Sequence, residues 1–371
     1  MRGIRPQHLL QNEAALLLID LKSQFIIAAG TFSLCELLRF LLGKFFQHSR
    51  NNHHWVHTAK TPRVGGIAIF MASIAILVMQ IMTNGAEGFV FVFLFFVSAI
   101  FCLGALEDWL GGIPAVTRLI FTAVIVFFNC LALLGLSASK DGALIYIFLV
   151  ILWGAGISLI HGSNLIDGVN GLSITWATSA LIILGGILTD ISTLNMSQKV
   201  SLAEIIAVFT ACSIGFLATN FPFGRVFLGD AGAYLGGAVV FFVAVFIVLH
   251  TSDYRVWSQV IAVVSFPVLE LLWTLIRRFH IDKTNIFQPD KKHLHTLMIY
   301  SLASFFPRWD SKTTNNVASL MVIGTVVQST WWVAVFMPNS LLGCAMALLV
   351  IPLVYFLTTL VSCAILSTNT R

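Results

Sequence analysis

Asn164, Asp167 and Asn170 recur at every third position in HGSNLIDGVNGLS (161–173), and Gly168 and Gly171 each follow one place behind a polar residue. On a helical turn or a tight loop this spacing turns the three polar side chains to one side, and the glycines let a ligand or a neighbouring backbone come close. Polar groups here are costly in lipid, so the stretch reads either as a membrane loop with ordinary turn residues or as part of a site. Glu107-Asp108 puts two adjacent carboxylates at a membrane edge, an expensive arrangement unless a cation joins them. Magnesium bound to a phosphate fits, because it takes one or two carboxylates plus phosphate oxygens. Asp230 stands between Gly229 and Gly232, which suits a metal ligand approached closely by backbone, although Gly232 and Gly236 also form a small-xxx-small packing pair.

Cationic groups accompany these acids. Lys60 and Arg63 flank Pro62 ahead of Gly65-Gly66, either as juxtamembrane charge or as a clamp for an anionic headgroup or phosphate. Arg118 lies about three helical turns past Asp108 and so near the same helix face. His293 and His295 follow Lys291 and Lys292. Their i, i+2 spacing and the absence of HExxH argue against a zinc helix and for a phosphate-binding surface in a loop. Glu270, about two turns before Arg277, is read equally as a structural partner of that arginine or as a catalytic acid.

The elements that position these residues are membrane helices. The chain has 371 residues, 58% hydrophobic and only 10% charged, with a formal net charge of +5, and its mean hydropathy is +0.93. Soluble domains carry about 25% charged residues, so the expected class is an all-α, polytopic integral membrane protein. About eleven spans are expected: 24–43, 65–83, 89–106, 115–136, 142–160, 172–189, 204–220, 232–250, 257–276, 317–336 and 340–366. They form a single transmembrane catalytic domain over 1–371, with main cytoplasmic loops at 44–64, 107–114, 161–171, 221–231 and 277–316. The face bearing these loops holds most of the lysines and arginines, which makes it cytoplasmic by the positive-inside rule. In the first span Glu36 and Arg39 are spaced to pair on one helix face. The six cysteines are scattered through apolar runs without CxxC spacing and read as small hydrophobes. Residues 1–12 are polar and precede no A-x-A-like site, so no cleavable signal peptide is expected.

Soluble nucleotide-binding folds are excluded. No GxxxxGK[ST] occurs, and after Gly154-Ala155-Gly156 Leu159 takes the place of the third glycine of a GxGxxG. No inverted repeat with paired broken helices marks a transporter.

In this order and between these spans, TPRVGG (61–66), LEDWLGG with Arg118, GSNLIDGVNGLS (162–173), FLGDAGAYLGG (227–237) and PDKKHLHT (289–296) resemble the polyprenyl-phosphate N-acetylhexosamine-1-phosphate transferase superfamily, glycosyltransferase family 4. The resemblance spans about two thirds of the chain. It implies a magnesium-dependent enzyme, with manganese as a substitute, in the inner (cytoplasmic) membrane. Such an enzyme moves an N-acetylated amino-sugar 1-phosphate from a UDP-sugar to undecaprenyl phosphate and releases UMP. It begins an O-antigen, capsule or teichoic-type polymer. The implied partners are UDP-N-acetylhexosamine, polyprenyl phosphate and membrane lipids, with no nucleic acid, and a homodimer is compatible. Residue by residue, the resemblance implies metal ligation by Asp230 and Asp108, with Glu107-Asp108 at the acceptor phosphate. It implies donor contacts from Asn164 and Asp167, and basic contacts from Lys60, Arg63, Arg118, His293 and His295. Departures are Glu107 for the usual aspartate, His161 for an asparagine, Asn170 for an acid, Thr296 for a histidine and Glu270 for an aspartate. The alternatives are a transporter of an anionic solute, with Glu36, Arg39 and Glu270 as its intramembrane polar groups, or a non-catalytic relative that binds a lipid phosphate.

Overall fold

The computed structural model describes residues 21–46, 61–136, 144–285, 292–328, 332, 349–350 and 352–362. All regular structure among them is helical: α1 Leu21–Leu42, α2 Gly65–Asn84, α3 Gly88–Leu110, α4 Ala115–Leu136, α5 Leu144–Leu165, α6 Leu172–Thr189, α7 Met196–Asn220, α8 Gly229–Leu249, α9 Tyr254–Ile276, α10 Leu294–Phe305 and α11 Ser311–Val322, with α12 at Pro352–Ser362. Short π-helical turns, Arg277–Ile281 and Ile323–Val327, extend α9 and α11. Nine helices among the described residues, α1 to α9, are long and apolar enough to cross a membrane. The protein is therefore an all-α multi-pass membrane protein. The two remaining expected spans, 317–336 and 340–366, fall partly outside the described residues.

Helix α8 is the centre of the bundle. It is apolar all round, as a helix buried on every side must be, and 94% of its most apolar window is buried. Helices α2, α3, α5, α6 and α9 pack on it, while α1 packs on α7. Its first turns are built from Gly229, Ala231, Gly232, Ala233, Gly236 and Gly237, which lets neighbouring backbones close in. A Cβ on Gly66 would overlap the backbone of Gly232, and one on Gly237 would overlap Ser163. Phe89, Phe93, Phe241, Phe242 and Phe246 fill the α3–α8 interface lower down. Large apolar side chains exposed on α1, α4 and α5, such as Phe25, Phe40, Phe128 and Ile147, form the lipid-facing surface.

Pro267 lies inside α9 and has no N–H, so the carbonyl of Val263 lacks its helical donor. The Trp176 indole supplies one at 3.3 Å and ties α6 to α9. Asn195 caps α7 in a reciprocal box with Gln198, with bonds of 2.8 and 3.1 Å.

Several expectations change in detail. The motif residues expected in loops 107–114, 161–171 and 221–231 sit largely on helix ends. Glu107 and Asp108 are in the last turn of α3, His161 to Asn164 in the last turns of α5, and Asp230 in the first turn of α8. The loop expected over 277–316 contains α10. Arg118 does not share a helix with Asp108, because α3 stops at Gly111, which is left-handed (φ 61°), and α4 begins after Pro114. Glu270 does not pair with Arg277, which instead bonds Asp282 at 2.7 Å.

Candidate active site

Successive antiparallel helices bring alternate ends to one face. The motifs occupy the C-terminal ends of α3 and α5 and the N-terminal ends of α2, α4 and α8, so they meet at one end of the bundle. The segment ahead of α2 is fastened to the segment ahead of α8. Phe227 N donates to Pro62 O at 2.9 Å, Gly65 N to Phe227 O at 3.0 Å and Gly66 N to Leu228 O at 2.9 Å. The Thr61 hydroxyl donates to Gly224 O at 3.2 Å. Arg63 is thereby carried to the start of α8.

Three helices supply the charged cluster there. The Asp108 carboxylate is almost wholly buried and accepts the backbone N–H groups of Asp230 (3.1 Å) and Ala231 (2.8 Å), so α3 caps the positive end of α8. Gly229 makes this approach feasible. Its φ of +77° favours glycine, and a Cβ there would press on the Asp108 carboxylate. Arg63 Nη1 lies 3.4 Å from Asp108 Oδ1 and 3.7 Å from Asp230 Oδ1. Arg118 Nη1 donates to Asp230 Oδ2 at 3.0 Å. Asp167, in the turn between α5 and α6, shares this field. Burial pushes its carboxyl well above the usual carboxylate range; Arg63 opposes that shift, and Asp230 and Asp108 add to it.

Asp108 and Asp230 share Arg63 and Arg118 between them, with Asp167 close enough to feel both acids. The donor atoms are all hard oxygens, the chemistry that suits magnesium better than zinc. No closed cage exists among the described residues, since no three acidic, histidine or cysteine groups are grouped to hold a metal by themselves. A cation there would be held by one or two carboxylates and completed by phosphate oxygens and water, a role in which these hard-oxygen donors fit magnesium.

The remaining candidates divide. Glu107 turns away from its neighbour and accepts the Ile113 N–H at 2.9 Å, bracing the turn between α3 and α4. Asn164 lies in the last turn of α5, and its carbonyl accepts the Asp167 N–H at 3.3 Å. His293 caps α10, and its ring stacks on His295 with centroids 5.7 Å apart. A Cβ on Gly168 would overlap the His295 ring, so this glycine seats the histidine pair beside Asp167. His295 is buried, and desolvation, with the neighbouring His293, pushes its pKa down to about 4. Lys292 bonds Asp282 at 2.7 Å. Lys60, Lys291 and the Pro289-Asp290 pair lie outside the described residues.

Two features had little signal in the sequence. His161 packs edge-on to Tyr234, and its Nδ1 lies 3.2 Å from the tyrosine hydroxyl, which joins α5 to α8 one turn below Asp230. Asn170 does not project with Asp167 as its spacing suggested. Its N–H donates to Asn315 Oδ1 (3.0 Å), its amide to Asn316 Oδ1 (3.0 Å), and its carbonyl accepts from Ser319 (2.6 Å). Asn316 also donates to Pro222 O at 2.8 Å, so the start of α11 clamps both the Asp167 turn and the loop before α8. The Asn315-Asn316 dipeptide was its only trace. Asn315→Ala is expected to leave the buried Asn170 N–H without this acceptor and to cost about 1–3 kcal/mol. A thermal-unfolding midpoint unchanged in detergent would discount the clamp.

The comparisons with known proteins agree with this architecture. The family described as Glycosyl transferase family 4 matches residues 90–248. The chain is 27% identical over 239 residues to an undecaprenyl-phosphate alpha-N-acetylglucosaminyl 1-phosphate transferase of Thermotoga maritima, covering 64% of this chain and 68% of that one. It is 27% identical over 260 residues to a probable undecaprenyl-phosphate N-acetylglucosaminyl 1-phosphate transferase of Bacillus subtilis, covering 67% and 68%. To a decaprenyl-phosphate N-acetylglucosaminephosphotransferase of Mycobacterium leprae it is 25% identical over 282 residues, covering 65% and 67%. The match begins inside α3 and ends inside α8, the two helices whose ends hold Asp108 and Asp230. The chain is thus a multi-pass membrane protein that is similar over residues 90–248 to glycosyl transferase family 4, and over about two thirds of its length to polyprenyl-phosphate N-acetylglucosamine-1-phosphate transferases.

Proposed function

We propose that this enzyme transfers an N-acetylated amino-sugar 1-phosphate from a UDP-sugar to a polyprenyl phosphate such as undecaprenyl phosphate, releasing UMP. The reaction takes place at the cytoplasmic face of the inner membrane and begins a cell-surface polysaccharide of the O-antigen, capsule or teichoic type. The observation that carries this reading is the convergence of Asp108, Asp167 and Asp230 with Arg63 and Arg118 at one end of the bundle. The relatives' names specify N-acetylglucosamine, which makes UDP-N-acetylglucosamine the first donor to try.

The chemistry needs positioning and charge neutralisation more than covalent assistance. An oxygen of the prenyl phosphate bonds to the sugar-bearing phosphorus of the donor. The bond from that phosphorus to the oxygen bridging it to UMP breaks, and UMP leaves with the electron pair. Asp230 and Asp108 would hold magnesium, which would neutralise diphosphate oxygens there, with Asp167 in the same field on the donor side. Arg63 and Arg118 can exchange carboxylate partners for phosphate oxygens as substrates enter. The N-terminus of α8, fixed by Asp108, presents its positive end to the same place. Because the site lies at helix ends, a prenyl chain can stay in hydrocarbon while its phosphate reaches the cluster.

The transporter alternative loses its groups. Glu36 is bonded to Arg39 (2.8 Å) and Arg225 (3.0 Å), and Glu270 to His293 (3.0 Å). The test is purified protein in detergent with undecaprenyl phosphate, magnesium and a panel of labelled UDP-sugars. Lipid-linked label and UMP should form together, EDTA should stop both, and magnesium or manganese should restore them. Absence of transfer from every donor, together with saturable solute flux in liposomes, would overturn the reading.

A further inference from the structure

Glu270 is a carboxylate almost wholly buried within membrane helix α9. A buried carboxylate persists only when its oxygens are satisfied. Here Oε1 accepts from His293 Nδ1 at 3.0 Å and from the Leu294 N–H at 3.3 Å, the first turn of α10. Oε2 accepts from the Tyr355 hydroxyl at 2.7 Å. Tyr355 belongs to α12, far along the chain, and is wholly buried against Phe266 and Phe356. The contacts continue on the other side. The His293 ring stacks on His295, and His295 fills the space that a side chain at position 168 would need, beside Asp167. One connected series thus runs from Tyr355 through Glu270, His293 and His295 to the Asp167 turn.

We infer that Tyr355 and Glu270 are positioning residues for the nucleotide-sugar donor: they hold the His293–His295 pair against Gly168 and so set the Asp167 turn. This rests on the transferase reading above. Because Oε1 accepts from Nδ1, the bond fixes the orientation of the His293 ring, as a carboxylate does for a histidine that must meet a substrate with its other edge. The tyrosine keeps the carboxylate from turning away. Asp108, Arg63 and Arg118 lie outside the series, so the acceptor side of the site is not set by it.

The test compares wild type, Tyr355→Phe, Glu270→Gln and the double variant in the detergent assay. Tyr355→Phe removes one oxygen and keeps the ring packing. It should raise KM for the UDP-sugar about tenfold, with KM for undecaprenyl phosphate unchanged, and should weaken direct binding of labelled UDP-sugar by the same factor. The double variant should be no worse than Glu270→Gln alone, since both break one series. If α12 is only a structural strut, Tyr355→Phe lowers the unfolding midpoint and leaves both KM values in place, or the two variants add; either result overturns the inference. Wild type that transfers no sugar overturns the transferase reading itself, whereas active wild type with an unaffected Tyr355→Phe overturns only the positioning role.

Discussion

Asp230→Asn is expected to lower sugar-phosphate transfer at least about a thousandfold while the protein stays folded. The Asp230 side chain is 18% exposed, and its contacts include the ion pairs with Arg118 at 3.0 Å and Arg63 at 3.7 Å. In the asparagine variant the amide oxygen can still accept from Arg118, so this contact is weakened rather than lost. The amide is nearly isosteric, and the Asp230 backbone N–H still reaches Asp108. What disappears is a formal charge at the point where a cation and two arginines must meet phosphate oxygens. Transfer should therefore collapse while the unfolding midpoint and gel-filtration profile in detergent stay close to wild type. Activity within about tenfold of wild type would remove Asp230 from the site. Asp108 is a poorer probe, because an amide there keeps an oxygen for one of the two donors at the start of α8 and sets its NH2 against the other. Its substitution mixes lost chemistry with a lost cap.

Much of this arrangement was legible before any coordinates. Composition alone required membrane helices, and the alternation of chain direction required that motifs placed at every second boundary share a face. Glu36 and Arg39 pair as their spacing implied. What the sequence could not convey was which partner each polar group chose. Asn170 stands three residues after Asp167, yet its bonds go to Asn315, Asn316 and Ser319, about 150 positions away, for which no local pattern exists. The approach of Glu270 to Tyr355 was hidden for the same reason, and Arg277, the nearer candidate in sequence, had a better partner in Asp282. Arg118 was misread through geometry. Counting 3.6 residues per turn presumes an unbroken helix, and Gly111 and Pro114 end that presumption. The error did not change the outcome, because the new helix returns Arg118 to the cluster against Asp230 instead of Asp108.

Gly104 offers the second large effect, and it separates geometry from stability. It sits in α3 four residues before Asp108, one turn away on the same face. A Cβ there would lie 2.6 Å from Ala231 Cα, 2.7 Å from Asp230 O and 2.8 Å from Ala231 N. All three are backbone atoms of the first turn of α8, so no side chain can swing aside; one helix must move. Overpacking of this kind costs about 1–3 kcal/mol. Against a total stability of about 5–15 kcal/mol, such a loss leaves nearly every molecule folded. A displacement of about 1 Å between catalytic groups, however, can cost on the order of a hundredfold in rate. Gly104→Ala should therefore lower transfer by about that factor with only a modest drop in unfolding midpoint, and Gly104→Val should be worse on both counts. Gly154→Ala is the control, because nothing lies within 4 Å of a Cβ there. It should behave as wild type in both measurements. Wild-type transfer by Gly104→Ala would mean that the contact between α3 and α8 does not set the distance between Asp108 and Asp230 on which the reaction depends.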